Sequence, residues 1–192
     1  MKTDIILAGV GGQGILSIAA TIGMAALNNN LHLKQAEVHG MSQRGGAVQS
    51  HFRVSSKPIA SDLIPKGGCD IILSVEPMES LRYIDFLHKD GWIITNSTPF
   101  VNISDYPDVD QILAKIKERK NTIILDADKM AKEIGSPRSS NIVTLGAASP
   151  FIDIPFEAFE EAIKLIFQKK GEKVIEANIQ ALRAGRAVAD AR

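Results

Sequence analysis

The sequence contains one cysteine, Cys69, in 192 residues, and this shortage excludes several kinds of site. An internal disulfide needs two cysteines, and a four-iron cluster usually takes four cysteine thiolates. A structural zinc site usually takes several cysteines or histidines, whereas the four histidines of this chain are scattered. We therefore expect no metal ion and no iron–sulfur cluster on this chain, and we expect Cys69 to be a small buried residue.

The sequence also lacks an excess of charge of one sign and lacks long apolar runs. Lys and Arg number 22, and Asp and Glu number 22, so the formal net charge is zero. With no basic excess to neutralise phosphates, nucleic-acid binding is not expected. No stretch approaches the roughly 20 apolar residues that span a bilayer, and the apolar run near Met1 is too short for a signal peptide. We expect a cytoplasmic protein that does not enter a membrane.

Short apolar runs alternate with helix-type periodicity along the chain, which favours an α/β fold. A hydrophobic content of 45% is enough for one buried core, so we predict a single domain over residues 1–192. This domain is expected to be a three-layer sandwich with a mostly parallel sheet and a C-terminal helix over residues 172–192. Strands are predicted at 4–9, 31–38, 47–54, 70–75, 91–96 and 122–126, the second and third being a possible antiparallel pair. Helices are predicted at 13–29, 77–88, 108–119, 127–134 and 141–148 and after Pro155.

Two of the predicted helices carry apolar residues at three- and four-residue spacing. In the first helix these positions are Leu16, Ala19, Ala20, Met24 and Leu27. In the last helix the repeating residues are small, which permits close packing within the chain or against a partner; they are Val174, Ala177, Ala181, Ala184, Val188 and Ala191. We favour packing within the core.

A glycine loop follows the first predicted strand and satisfies the spacing G-x-G-x-x-G. Its candidate site residues are Gly9, Gly11, Gly12, Gln13 and Gly14. A strand, this spacing and a helix together resemble the Rossmann-type turn that binds dinucleotides, with Glu37, 23 residues after Gly14, as a ribose acceptor. The chain leaves little room for the substrate domain that such an enzyme needs. Contact with another phosphate or anion at the helix N-terminus, or tight packing alone, are the alternatives.

A second unusual loop follows the second predicted strand and contains two consecutive glycines. Its candidate site residues are Ser42, Gln43, Arg44, Gly45 and Gly46. Paired glycines let a backbone approach a neighbour closely, and the arginine can bind a carboxylate or phosphate through two parallel hydrogen bonds. An exposed hairpin loop with a solvated arginine is the alternative interpretation.

The two loops together resemble the gamma-type domain of the 2-oxoacid:ferredoxin oxidoreductase family, and most of all the beta subunit of its indolepyruvate type. The resemblance rests on GVGGQGI at 9–15 and HGMSQRGGAVQSHFR at 39–53. It continues through residues 76–79, 96–97 and 141–146, and so covers nearly the whole chain.

This resemblance implies that the chain is one subunit of a complex that oxidatively decarboxylates indolepyruvate with coenzyme A. Thiamine diphosphate, magnesium and iron–sulfur clusters are then expected on a larger alpha subunit, with none on this chain, and electrons pass to ferredoxin. The chain also lacks the Gly-Asp-Gly…Asn segment of thiamine enzymes. The ten loop residues are expected to face the partner's active site or to contact substrate or coenzyme A, and no catalytic residue is nominated. Alone, the chain is expected to be inactive and could form a homodimer. The competing hypotheses are an independent NAD- or flavin-binding oxidoreductase and a nucleotide-binding module.

Overall fold

A computed structural model of the chain describes residues 1–40, 45–101 and 103–192. The strands are β1 (Lys2–Val10), β2 (His32–His39), β3 (Ala47–Ser55), β4 (Cys69–Ser74), β5 (Leu87–Asn96) and β6 (Thr122–Leu125). The helices are α1 (Ile15–Asn28), α2 (Pro77–Arg82), α3 (Val109–Lys117), α4 (Ala127–Glu133), α5 (Ser140–Ala148), α6 (Phe156–Phe167) and α7 (Glu172–Asp190).

The six strands form one sheet in the order β2-β3-β1-β4-β5-β6. Strands β1, β4, β5 and β6 pair in parallel, whereas β3 is antiparallel to both of its neighbours, β1 and β2. Among the described strands, β3 alone therefore runs against the rest. The prediction of a mostly parallel sheet with an antiparallel pair at residues 31–54 is confirmed.

The two faces of the sheet are covered by separate helix layers, because successive side chains of a strand point to opposite faces. Ile5 and Leu7 of β1 contribute to the large core under α1, α5, α6 and α7. Ile6 and Ala8 point to the other face, where smaller clusters lie under α2 and α3. The predicted three-layer arrangement and helical C-terminus are confirmed. Within the described residues, no helix combines the length and the apolar character that crossing a bilayer requires.

The segment predicted as a helix over 77–88 was partly wrong. Helix α2 ends at Arg82, a short 3-10 turn covers Ile84–Phe86, and β5 already begins at Leu87. Leu87 of β5 pairs with Cys69 of β4, and Trp92 of β5 pairs with Ile71. The register of the pairing shifts between these two pairs, at the polar residues that separate Leu87 from Trp92. The polar composition of that stretch does not predict a strand. The strand forms because β4 provides a pairing partner.

The apolar face predicted for the first helix was also largely wrong. The residues of α1 that pack into the core include Ile15, Ile18 and Ile22, each at most 4% exposed. Leu16 and Leu27 instead lie outside, 59% and 58% exposed. Both sides of this helix are apolar, so the direction in which the chain leaves the glycine turn decides which side meets the sheet.

Helix α7 packs closely against α5, and two glycines make this possible. A Cβ atom on Gly185 would lie 1.8 Å from the carbonyl oxygen of Val143, and one on Gly146 would lie 2.0 Å from that of Leu182. Ala181, one of the predicted small residues, is fully buried at this crossing. The interpretation of the small-residue face as core packing therefore holds at the centre of the helix.

Candidate functional site

Residues Gly9–Gly14, the glycine loop of the sequence, form a turn that connects β1 to α1 at the carboxyl end of the parallel strands. We call it the glycine turn. Gly12 and Gly14 have φ angles of 100° and 82°, in the left-handed region that glycine adopts without steric cost. Gly9 meets a different constraint, because a Cβ there would lie 2.4 Å from a methyl carbon of Val75. Glycine at these three positions is therefore required by backbone conformation or by close packing.

Gln13 closes the turn with its side-chain amide. Its Oε1 accepts a hydrogen bond of 2.8 Å from the backbone N–H of Val10, and its Nε2 donates to the carbonyl of Val75 at 3.4 Å. The sequence placed Gln13 among the residues expected to face the partner's active site or to contact substrate or coenzyme A. In the structure the amide is used within the fold, where it fixes the shape of the turn.

The second glycine pair lies directly against the glycine turn. The backbone N–H of Gly11 donates to the carbonyl of Gly46 at 2.8 Å, and the N–H of Gly45 donates to the carbonyl of Gly11 at 3.3 Å. These bonds extend the antiparallel pairing of β1 with β3 past its last pair, Val10 with Ala47. The predicted site residues Ser42, Gln43 and Arg44 lie outside the described residues. The other seven predicted site residues lie together at the carboxyl end of β1.

Asn141, at the start of α5, holds the glycine turn from the opposite side. Its Nδ2 donates a hydrogen bond of 2.9 Å to the carbonyl of Gly14, and the residue is only 7% exposed. A Cβ on Gly14 would lie 2.5 Å from the same amide nitrogen, so the contact requires glycine there. Sequence reasoning assigned Asn141 no role. A polar residue at the start of a mostly apolar helical run was the signal that could have revealed it.

A buried carboxylate, that of Glu76, stabilises the loop that follows β5. Glu76 is 1% exposed and accepts hydrogen bonds from the N–H groups of Glu79 and Phe100 and from the hydroxyl of Tyr106. Burial and the neighbouring carboxylate of Glu76 raise the pKa of Tyr106 well above its usual value. Through these hydrogen bonds, Glu76 holds the loop that follows β5 against the start of α2.

The geometry does not favour a dinucleotide site that uses Glu37. In the common dinucleotide-binding order, the strand that carries the ribose-binding acid lies next to β1 and parallel to it. Here β3 occupies that place, and Glu37 lies on β2 at the sheet edge, about 10 Å away across two strand spacings. Its carboxylate is already bonded to His39 Nε2 at 2.6 Å.

An exposed apolar side chain of α1 borders the glycine turn. Leu16 lines a hollow of about 260 Å³ together with His39, Val48 and the turn itself. Leu27, which is also exposed, lies about three turns further along the outer side of α1. We call these two leucines of α1, Leu16 and Leu27, the outer apolar surface. Large apolar residues grouped on a surface often mark protein–protein contacts.

Comparison with known proteins gives a consistent result. Residues 4–188 match the family described as pyruvate ferredoxin/flavodoxin oxidoreductase. The chain is 34% identical to the indolepyruvate oxidoreductase subunit IorB of Archaeoglobus fulgidus, over 96% of this chain and 94% of that one.

Among solved structures, the 2-oxoglutarate:ferredoxin oxidoreductase of Magnetococcus marinus, with 2-oxoglutarate, coenzyme A and succinyl-CoA bound, is similar with a TM-score of 0.80 and 26% identity. The match covers the whole of this chain but only 31% of that longer chain. The gamma subunit of a keto/oxoacid ferredoxin oxidoreductase from Geobacter sulfurreducens matches with a TM-score of 0.72 and 25% identity, over 99% of both chains.

Proposed function

Because the chain belongs to the pyruvate ferredoxin/flavodoxin oxidoreductase family, we propose that it is a subunit of an indolepyruvate:ferredoxin oxidoreductase. The observation that carries this proposal is the identity of 34% to an indolepyruvate oxidoreductase subunit across 94% of that subunit. Full-length similarity to a separate subunit of the same size supports a role as one chain of a complex. Residues 1–192 then form one gamma-type domain.

The proposed reaction joins indolepyruvate and coenzyme A, with release of carbon dioxide and formation of indoleacetyl-CoA. Two electrons leave the substrate and reduce two one-electron ferredoxins, and one proton is released. Thiamine diphosphate supplies the carbanion chemistry and iron–sulfur clusters carry the electrons, and we assign these groups, with magnesium, to a larger alpha subunit. The donor set of this chain does not fit a cluster, because Cys69 is fully buried and donates its thiol to the carbonyl of Ile71.

The contribution of this chain is then to shape and complete a site on its partner. The glycines of the glycine turn and Gly45–Gly46 carry no side chain, so another chain can approach this backbone closely. Arg44, with Ser42 and Gln43, is proposed to bind the substrate carboxylate or a phosphate of coenzyme A. A buried charge-assisted hydrogen bond of this kind contributes about 1.5–3 kcal/mol, or roughly one to two decades in affinity.

The outer apolar surface is proposed to be part of the contact with the alpha subunit. It adjoins the glycine turn, so a partner that covers Leu16 also lies next to the candidate site. Permanent complexes of this kind usually bury more than about 2,000 Å² of surface. Without the partner, this surface could bring two copies of the chain together.

The experiment that tests the proposal is an anaerobic assay with indolepyruvate, coenzyme A and ferredoxin. Three samples are compared: this chain alone, the alpha subunit alone and the two mixed. Strong turnover is expected only in the mixture, and Arg44→Ala should lower its kcat/KM by about one to two decades. Conservative Arg44→Lys should restore part of the loss, since it keeps the charge but loses the paired geometry.

The same mixture tests the substrate assignment and the competing hypotheses. Indolepyruvate should be used with a higher kcat/KM than 2-oxoglutarate or pyruvate; a preference for either of these would reassign the substrate within the same family. Tight NAD or flavin binding by this chain alone, together with no turnover of any 2-oxo acid by the mixture, would contradict the proposal.

A further inference from the structure

The loop between β5 and α3 exposes three large apolar side chains close together. It begins at the carboxyl end of the parallel strands, on the side of the sheet that α2 and α3 cover. Phe100, Val101 and Ile103 are 40%, 66% and 45% exposed. We call these three residues the apolar patch. Single exposed apolar residues are common on protein surfaces, whereas a group of them within four positions is typical of an interaction site.

The sequence around the apolar patch lacks charge. Residues 97–104 contain no Asp, Glu, Lys or Arg, although these types make up 23% of the chain. Charged side chains are depleted at the centre of protein–protein interfaces, where aromatic residues are enriched. The composition of this segment therefore resembles that of an interface centre more than that of a solvated loop.

Buried polar groups hold the loop that carries the apolar patch. Oε1 of Glu76 accepts hydrogen bonds from the N–H of Phe100 at 3.3 Å and from the hydroxyl of Tyr106. At the start of the loop, the N–H of Ser97 donates to the carbonyl of Leu125 at 2.9 Å. The patch itself adds little to the stability of this chain, because its side chains remain largely in water. A loop held in this way loses less conformational entropy when a partner covers it, which favours binding.

The apolar patch is connected to the glycine turn through two consecutive residues. Gln13 of the turn donates to the carbonyl of Val75 at 3.4 Å, and the N–H of Val75 donates to the carbonyl of Ala8 in β1 at 3.0 Å. The next residue, Glu76, holds the loop that carries the patch. The glycine turn and the apolar patch therefore belong to one continuous edge, and the outer apolar surface lies on the other helix layer.

The outer apolar surface is too small to form a permanent interface by itself. Its two leucines offer on the order of 200 Å² of exposed apolar surface, whereas one side of a permanent interface buries roughly 1,000 Å² or more. A contact of that area is about 30 Å across. Strand β5 lies two strand positions from β1, about 10 Å away. A partner centred on the glycine turn therefore also covers the carboxyl end of β5 and the loop that follows it.

We propose that the apolar patch is a second contact for the proposed alpha subunit, in addition to the outer apolar surface. The alpha subunit then covers the carboxyl edge of the sheet from α1 on one layer to the loop before α3 on the other, with the glycine turn between the two apolar contacts. The inference rests on the proposed function, because that function supplies the partner. The surface of the alpha subunit that meets the patch is expected to be apolar and uncharged.

The test measures association of the full chain with the alpha subunit by biolayer interferometry. The patch variant carries Val101→Gln and Ile103→Gln, which leave the hydrogen bonds of Glu76 in place. A matched control carries Leu63→Gln and Leu165→Gln, at positions that are 57% and 44% exposed. Leu63 lies towards the amino end of β1 and Leu165 lies on α6, so both are away from the carboxyl edge.

We expect the dissociation constant to rise at least about tenfold in the patch variant and less than about twofold in the control, because the partner covers only the patch. Both variants should unfold in urea at the same concentration as the unaltered chain, since all four altered side chains are exposed. Unchanged association of the patch variant, or equal weakening in the control, overturns the proposal.

Light scattering by each chain alone tests a second copy of this chain as the occupant of the patch. The unaltered chain and the patch variant are expected to have the same molar mass in solution. A homodimer that the patch variant no longer forms, together with unchanged binding of the alpha subunit, would assign the patch to self-association and overturn the proposal.

The turnover assay separates this proposal from the proposed function. If the alpha subunit binds through the patch but the mixture oxidises no 2-oxo acid, the contact stands and the enzymatic assignment falls. If the mixture is active and the patch variant binds the alpha subunit as tightly as the unaltered chain does, the contact falls and the enzymatic assignment stands. If the two chains neither bind nor turn over substrate, both fall.

Discussion

The side-chain amide of Asn141 donates a hydrogen bond of 2.9 Å to the backbone carbonyl of Gly14, which lies 127 residues earlier in the chain. Gly14 is the N-cap residue directly before α1, with a φ angle of 82°. The shape of the glycine turn is therefore held by a helix from the far end of the sequence.

Replacement of Asn141 by Ala should destabilise the protein. The change removes the side-chain donor, while the carbonyl of Gly14 still accepts from the N–H groups of Ser17 and Ile18. The expected cost is therefore that of one hydrogen bond, about 0.5–1.5 kcal/mol in the free energy of unfolding. Urea denaturation measures the loss. Asn28→Ala is the control, because Asn28 is exposed on α1 and its replacement should change stability by less than about 0.5 kcal/mol. Equal effects of the two changes would show that the bond to Gly14 contributes nothing.

Replacement of Gly185 by Ala should disrupt the crossing of α5 and α7. The added Cβ would overlap the carbonyl oxygen of Val143, so the helices must separate, at a cost of about 1–3 kcal/mol or more. Gly23→Ala is the matched control within another helix, because its Cβ would meet neighbours at an ordinary 3.6 Å. That change should be neutral or stabilise the protein through helix propensity. Thermal unfolding of both variants measures the effect. A Gly185→Ala variant as stable as the unaltered chain would refute the predicted clash.

His51 should make stability fall as the pH is lowered. Burial first, and then the charge of Arg53, lower the pKa of His51 below its usual value of 6.5, while Asp62 acts in the opposite direction. Nδ1 of the ring accepts a hydrogen bond of 3.0 Å from the N–H of Ile64, which requires an unprotonated nitrogen.

Below pH 6.5 the unfolded chain therefore binds a proton that folded His51 resists. The stabilisation is complete above pH 6.5 and is lost as the pH falls towards the folded-state pKa. Urea denaturation at pH 7.5 and at pH values down to about 5 should show a smaller decrease for His51→Asn than for the unaltered chain. His88→Asn, at an exposed position, should keep the full decrease. An unchanged slope in His51→Asn would show that another group is responsible.

Cys69 should be chemically inert in the folded protein. Burial raises the pKa of its thiol to about 12, and the side chain is fully shielded from solvent. Because the thiolate is the reactive form, a thiol reagent at pH 8 should label the folded chain no faster than the chain unfolds. The same reagent should react at once in denaturant, and rapid labelling in native buffer would contradict the described burial.

Replacement of Leu16 or Leu27 by Gln should weaken association with the proposed alpha subunit without lowering stability. Both side chains are more than half exposed, so their removal creates no cavity in the isolated chain. The dissociation constant should rise by about tenfold when a covered apolar side chain is lost. Leu165→Gln, an exposed leucine on α6, is the control. Unchanged association in both α1 variants would place the partner elsewhere.

Much of this protein could be read from the order of its residues. Alternating apolar runs and helical periods predict the α/β class and the mostly parallel sheet, because burial requires each element to present an apolar side. The spacing of Gly9, Gly11 and Gly14 predicts a tight turn, because few other residues adopt such backbone angles or allow such close packing. The single cysteine likewise restricts the redox groups that the chain can hold.

Other features depended on contacts between distant parts of the chain. Only the tertiary structure showed that β5 begins at Leu87, because the strand exists through pairing with Cys69. It also decided which side of α1 is buried, since both sides are apolar and the sheet meets only one.

The sequence by itself therefore determined the class of fold, the turn and the family resemblance, because each of these can be recognised from short stretches of consecutive residues. The tertiary structure decided that Asn141 holds the turn and that Glu76 holds the loop that carries the apolar patch. Hydrogen bonds across 127 and 24 residues leave no local pattern, because their partners meet only after the sheet and its helices have packed.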